Sequence, residues 1–168
     1  MFTRLLLLAG FLVCNSVATA QSVVVRWAYG PFGTPGDAAF VVEGDRIYQA
    51  AGPFGTKGPC IFVMEEDQVF HAADAFGRRG YGAYVFEADK LYRCTGALCQ
   101  QTGCALILDR NKVFRGDGAF CTKAEGAFVI DGNTIYLAEG PFGMKGDAIL
   151  QLDADLPVLP LLAILAGL

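Results

Sequence analysis

Gly52-Pro53-Phe54-Gly55-Thr56-Lys57-Gly58 is the stretch whose reading decides the fold. Its opening four residues recur at Gly30-Pro31-Phe32-Gly33 and Gly140-Pro141-Phe142-Gly143. Degenerate copies, Ala75-Phe76-Gly77, Ala97-Leu98-Cys99 and Ala119-Phe120-Cys121, occupy the interval. The copies start at 31, 53, 75, 97, 119 and 141, a spacing of 22 residues without insertion. A fixed period of this size marks a repeat architecture, in which each unit buries its apolar surface against the next.

Between linkers, residues 38–50 show what one unit is. Phe40-Val41-Val42 and Ile47-Tyr48 are β-branched and aromatic runs flanking a polar tip, the pattern of a hairpin. The tips repeat as Glu43-Gly44-Asp45, Glu65-Glu66-Asp67, Glu87-Ala88-Asp89, Asp109-Arg110-Asn111, Asp131-Gly132-Asn133 and Asp153-Ala154-Asp155. Asp and Asn tolerate left-handed backbone, which assigns that conformation to the third tip position. Arg46, Lys90 and Lys112 stand opposite the first acid in three copies, as cross-strand ion pairs.

A two-residue turn places Val42 opposite Ile47 and Val41 opposite Tyr48, so both hairpin faces are apolar and each hairpin needs neighbours on both sides. Aromatic residues at the Tyr48 position continue through Phe70, Tyr92, Phe114 and Tyr136. Gly-Pro-Phe-Gly reads as a type I turn, with Pro second and Gly fourth. Its Phe is expected to pack beneath each hairpin as a plug. No helical periodicity appears between 22 and 155.

Gly80-Tyr81-Gly82-Ala83-Tyr84-Val85-Phe86, with Asp89 and Tyr92, resembles the MORN repeat, and Gly126, Phe128, Ile130 and Tyr136 fall on the same offsets. A hairpin with an Asp/Asn-rich tip followed by Ile-Tyr is equally similar to the small β-flower proteins. MORN likeness implies an open roll; β-flower likeness implies hairpins closed around an axis.

The array's ends favour closure. Ala148–Leu152 is a sound first strand, but Leu156-Pro157 interrupts a second one. Val23–Trp27 stands where the second strand of a preceding copy would lie, with Trp27 one residue beyond the Tyr48 register. The expected fold is therefore all-β: six 22-residue hairpins closed in a six-fold ring, the sixth completed by the N-terminal strand, which leaves no exposed edge.

Met1–Arg4, the apolar run Leu5–Val13 and Ala18-Thr19-Ala20 read as a signal peptide over 1–20. The repeat domain then spans 21–155 and an apolar tail spans 156–168. The tail is expected to pack on the domain as a short helix from Leu161; contact with a membrane is its alternative. Of the 13 basic residues only Arg4 lies in the leader, and there is no basic cluster, which argues against nucleic acid as a partner.

Five cysteines follow the leader. In an exported chain they are disulfide candidates, and an odd count leaves one thiol over. Repeat register suggests Cys99–Cys121 and Cys94–Cys104, with Cys60 free. His71 is the sole histidine and reads as a surface residue, so zinc is not indicated. No nucleophile, base and acid assemble: Ser22 is the one serine after the leader. No enzyme activity, cofactor or metal is therefore expected. The expected function is an exported binding or structural module meeting a protein or envelope partner. The alternative is a small-molecule or Ca²⁺ binder using the ring axis or the acidic tips Glu43, Asp45, Glu65, Asp67, Glu87, Asp89, Asp109, Asp131, Asp153 and Asp155.

Overall fold

In the computed structural model, residues 22–118 and 120–168 are described; the expected leader lies outside them. The chain forms β1 (Ser22–Tyr29), β2 (Thr34–Glu43), β3 (Arg46–Ala51), β4 (Thr56–Glu65), β5 (Gln68–Ala72) and β6 (Arg79–Glu87). There follow β7 (Lys90–Thr95), β8 (Gln100–Asp109), β9 (Lys112–Asp117), β10 (Thr122–Asp131), β11 (Thr134–Glu139), β12 (Met144–Leu152) and the helix α1 (Val158–Ala166). All strands pair antiparallel with their sequence neighbours, and β1 pairs with β12 to close the barrel. The closing register is Val25↔Leu152, Arg26↔Gln151 and Trp27↔Leu150, so the sixth hairpin is built from both ends of the array and the open roll is excluded.

Each hairpin repeats one register. Val42↔Ile47 recurs as Met64↔Val69, Phe86↔Leu91, Leu108↔Val113 and Ile130↔Ile135. Alternation sends these residues inward and the Val41–Tyr48 class outward. Between hairpins the ladder slips: Ile47 pairs with Phe62 but Tyr48 with Cys60, leaving Ile61 as an extra residue. The same slip strands Ala39, Ala83, Ala105, Ala127 and Ile149. A bulge bends its strand and increases local twist. Six of them turn the linker halves of the strands out and back over the preceding hairpin. Thus Lys112 Nζ donates to the Phe142 carbonyl at 2.8 Å, and a Cβ on Gly143 would meet the Phe114 ring at 3.9 Å. Small apolar clusters form between neighbours there, such as Phe70, Val85, Cys94 and Cys99.

At the tips, positive φ falls on the middle residue (Gly44, Glu66, Ala88, Arg110 and Gly132), not on the third as expected; Asp89 alone adds a second. The first central residue of the turn takes the left-handed conformation, whatever side chain stands there.

The tail packs. Leu161 to Leu165 are all buried, and they join inward residues of the hairpins in a single core cluster. α1 therefore fills the ring. It begins at Val158, three residues before expected, because Pro160 sits in the first turn, where a missing N–H costs no helical bond. At its far end the Tyr84 hydroxyl donates to the Ala166 carbonyl at 3.3 Å. Val158 and Leu168 are the tail's exposed large apolar residues.

Candidate functional site

The linkers are the most conspicuous surface. In each, the fourth residue donates its N–H to the carbonyl of the first, as Gly55 does to Gly52 and Gly143 to Gly140 at 3.3 and 3.2 Å. This closes the expected β-turn. The third residue is not a plug: Phe32, Phe54, Phe76, Leu98, Phe120 and Phe142 are 78–93% exposed. Two causes combine. The apex of a turn folded onto the outer wall points away from it, and the interior is already filled by α1. The turns are well anchored. Arg26, Arg79 and Lys112 donate to the carbonyls of Pro53, Ala97 and Phe142 at 2.7–2.8 Å. Single exposed apolar residues are ordinary; one in the same place of every repeat is not explained by packing.

Beneath the linkers lies a second repeated device. Lys57, Arg79, Lys123 and Lys145 reach the first tip acid of the preceding hairpin, Glu43, Glu65, Asp109 and Asp131, at 2.5–2.6 Å. On the way they cover Tyr48, Phe70, Phe114 and Tyr136, at 3.8–5.2 Å from the ring centroids. The opposed basic residues Arg46, Lys90 and Lys112 hold their register but do not take these acids, which corrects the cross-strand expectation. The hydrogen bond from Lys123 holds the Asp109 carboxyl below its ordinary range; the one to Glu43 raises the Lys57 ammonium. The bulge supplies this longer-range partner, and bulges were not legible from alternation alone. No three His, Cys, Asp or Glu side chains gather for a metal among the described residues.

The cysteines pair as Cys94–Cys99 and Cys104–Cys121, with Cys60 free and buried. The four expected to bond do so, and the fifth is the one expected to stay free, but the partners are exchanged. A linker's fourth residue packs on the middle of the first strand 17 residues earlier, not on the next linker. Cys104 and Cys121 stand 5.1 Å apart at Cα, and Gly33 meets Ala148 across the closure in the same way. Burial raises the Cys60 thiol pKa, and its Sγ donates to the Phe62 carbonyl at 3.3 Å.

No family model, curated protein or solved structure matches this chain. What the site can do rests on its own geometry.

On the inner face, the cross-strand partners of Phe40, Phe62, Tyr84, Leu106, Phe128 and Leu150 are Gln49, His71, Arg93, Arg115, Leu137 and Trp27. These six ring the mouth on the side away from the tips, and all are exposed. His71 is thus a surface residue, lying on Phe62 with ring centroids 5.3 Å apart. A cleft beside it runs between the wall and α1. The single signal available in the sequence was the 22-residue spacing of the six mouth positions, which shows no conserved chemistry.

Proposed function

We propose that this protein is a non-enzymatic, exported binding module that grips its partner through the six outward linker side chains. The observation that carries the reading is their exposure in every repeat, on turns anchored by backbone and side-chain hydrogen bonds. Six copies of one apolar knob favour an extended or repetitive partner, since simultaneous weak contacts multiply apparent affinity. Closure of the ring supports the likeness to β-flower proteins over MORN repeats. Two disulfides are consistent with an oxidising compartment such as the envelope or exterior. With α1 filling the axis and four first-position tip acids engaged in ion pairs, the linkers are the better supported reading over a cation site at the axis or the tips.

The test compares the protein with a variant carrying Ser at 32, 54, 76, 98, 120 and 142. Both are used to capture partners from an envelope extract, followed by native mass spectrometry. Specific capture should be lost in the variant while its circular dichroism and Tm are retained. Equal capture by both proteins would overturn the reading.

A further inference from the structure

The cleft beside His71 has a volume of about 390 Å³, within the range of small-molecule sites. Phe40, Phe62, Ile61, Ala72 and Ile164 give it apolar walls, and Gly167, lacking a side chain, leaves its floor open. The corresponding gap on the other flank of α1, beside Leu106 and Phe128, is about 60 Å³. The cleft is therefore not a property of the repeat, since the two flanks of α1 differ in the space they leave. Cys60 contributes to the wall, but its thiol is committed to the Phe62 carbonyl.

Polar groups stand at the opening and not within. Gln49 flanks His71 on one side; Arg93 and Arg115, further round the barrel, line the smaller gap on the other flank of α1, and Arg93 donates to the Cys104 carbonyl at 2.8 Å. None of the six mouth positions carries a carboxylate. An apolar slot bounded by two phenyl rings accepts a flat hydrocarbon body, and an imidazole and a carboxamide at its mouth, with no acid among the six positions, can donate hydrogen bonds to an anionic head. We propose that the cleft binds a small aromatic carboxylate, its ring between α1 and Phe40/Phe62 and its carboxylate outward toward His71. This site is separate from the linker side chains and does not depend on their role.

Trp27 reports on it. It is the chain's one tryptophan, it sits at the mouth, and its ring centroid lies 6.3 Å from that of Phe40. 2-Naphthoate is titrated into the full protein, with tryptophan fluorescence and equilibrium dialysis as readouts. Saturable binding at one site is expected, weakened at least tenfold by Ala72→Phe, which fills the slot, and several-fold by His71→Ala, while Arg115→Gln, on the other flank, should leave it unchanged. The methyl ester of 2-naphthoate should bind at least tenfold more weakly than the acid. The six-fold linker Ser variant should bind as the unmodified protein does. Amide chemical-shift changes in the unmodified protein, expected at 40, 62, 71 and 72, provide the answer should Ala72→Phe fail to fold. Absence of saturable binding, equal affinity for the ester, shifts confined to the linkers, or loss of binding in the linker variant would each overturn the proposal.

Discussion

Cys60 and Gly77 stand to each other as Cys104 and Cys121 do, 17 residues apart and in the same repeat register. A Cβ built on Gly77 lies 3.0 Å from Cys60 Sγ, and 2.7 Å from Arg46 Cδ, the movable part of a long side chain. The left-handed φ of Gly77 is no bar, because Cys99 and Cys121 hold φ near 50° at the same turn position. Gly77→Cys should therefore form a third disulfide with Cys60, seen as loss of the free thiol and a new cross-linked peptide. A protein left with two free thiols would contradict this packing register. The ion pairs give a pH prediction at the same scale. Asp109 has a lowered pKa, so its contribution is whole above the ordinary carboxylate value, about 4, and fades as pH falls through its folded value. Lys57 and Lys145 have raised values, so their contributions are whole below about 10.4 and fade as pH rises through theirs. Tm should be flat from about pH 4 to about 8.5, above which ionisation of the Cys60 thiol in the unfolded chain begins to lower it. Asp109→Asn should make the acid fall shallower, and Lys57→Gln should do the same for the alkaline one.

The hairpins were legible as elements because strand residues, tips and linkers repeat without insertion, so each copy corroborated the others. The N-terminal strand was legible too, from Val23–Val25 standing where Ile47 and its neighbours would recur. The bulges were not, because Ala39 or Ile61 inserts one apolar residue into an already apolar run. With them went the direction of the linkers, the owner of each tip acid and the disulfide partners. The tail's burial was legible from its composition, but its place inside the ring was not, since Leu161–Leu165 name no partner. Leu162 is fully buried in α1, and Leu162→Ala should cost roughly 2–5 kcal/mol by chemical denaturation. Deleting 22–27 should expose the edges of β2 and β12 and produce aggregation visible by light scattering. The interface of the third and fourth hairpins has Gln101 where four others have Lys or Arg, and the two disulfides flank it. On loop entropy alone, replacing Cys104 and Cys121 by Ala should cost about 3 kcal/mol, against about 2 for Cys94 and Cys99. The reverse order would show that local strain relief outweighs loop length.

For the whole molecule, a wall of twelve strands surrounds a core that none of its hairpins supplies alone. In the order of synthesis that core comes last, because α1 follows β12. A nascent chain with five hairpins made has their inward faces ready and nothing to put between them. Its two outer edges, on β1 and β11, still await β12. Closure of this ring consequently waits for β12 and α1, however early each hairpin forms. Such a chain needs protection through the interval, when unpaired edges and bare apolar surface coexist.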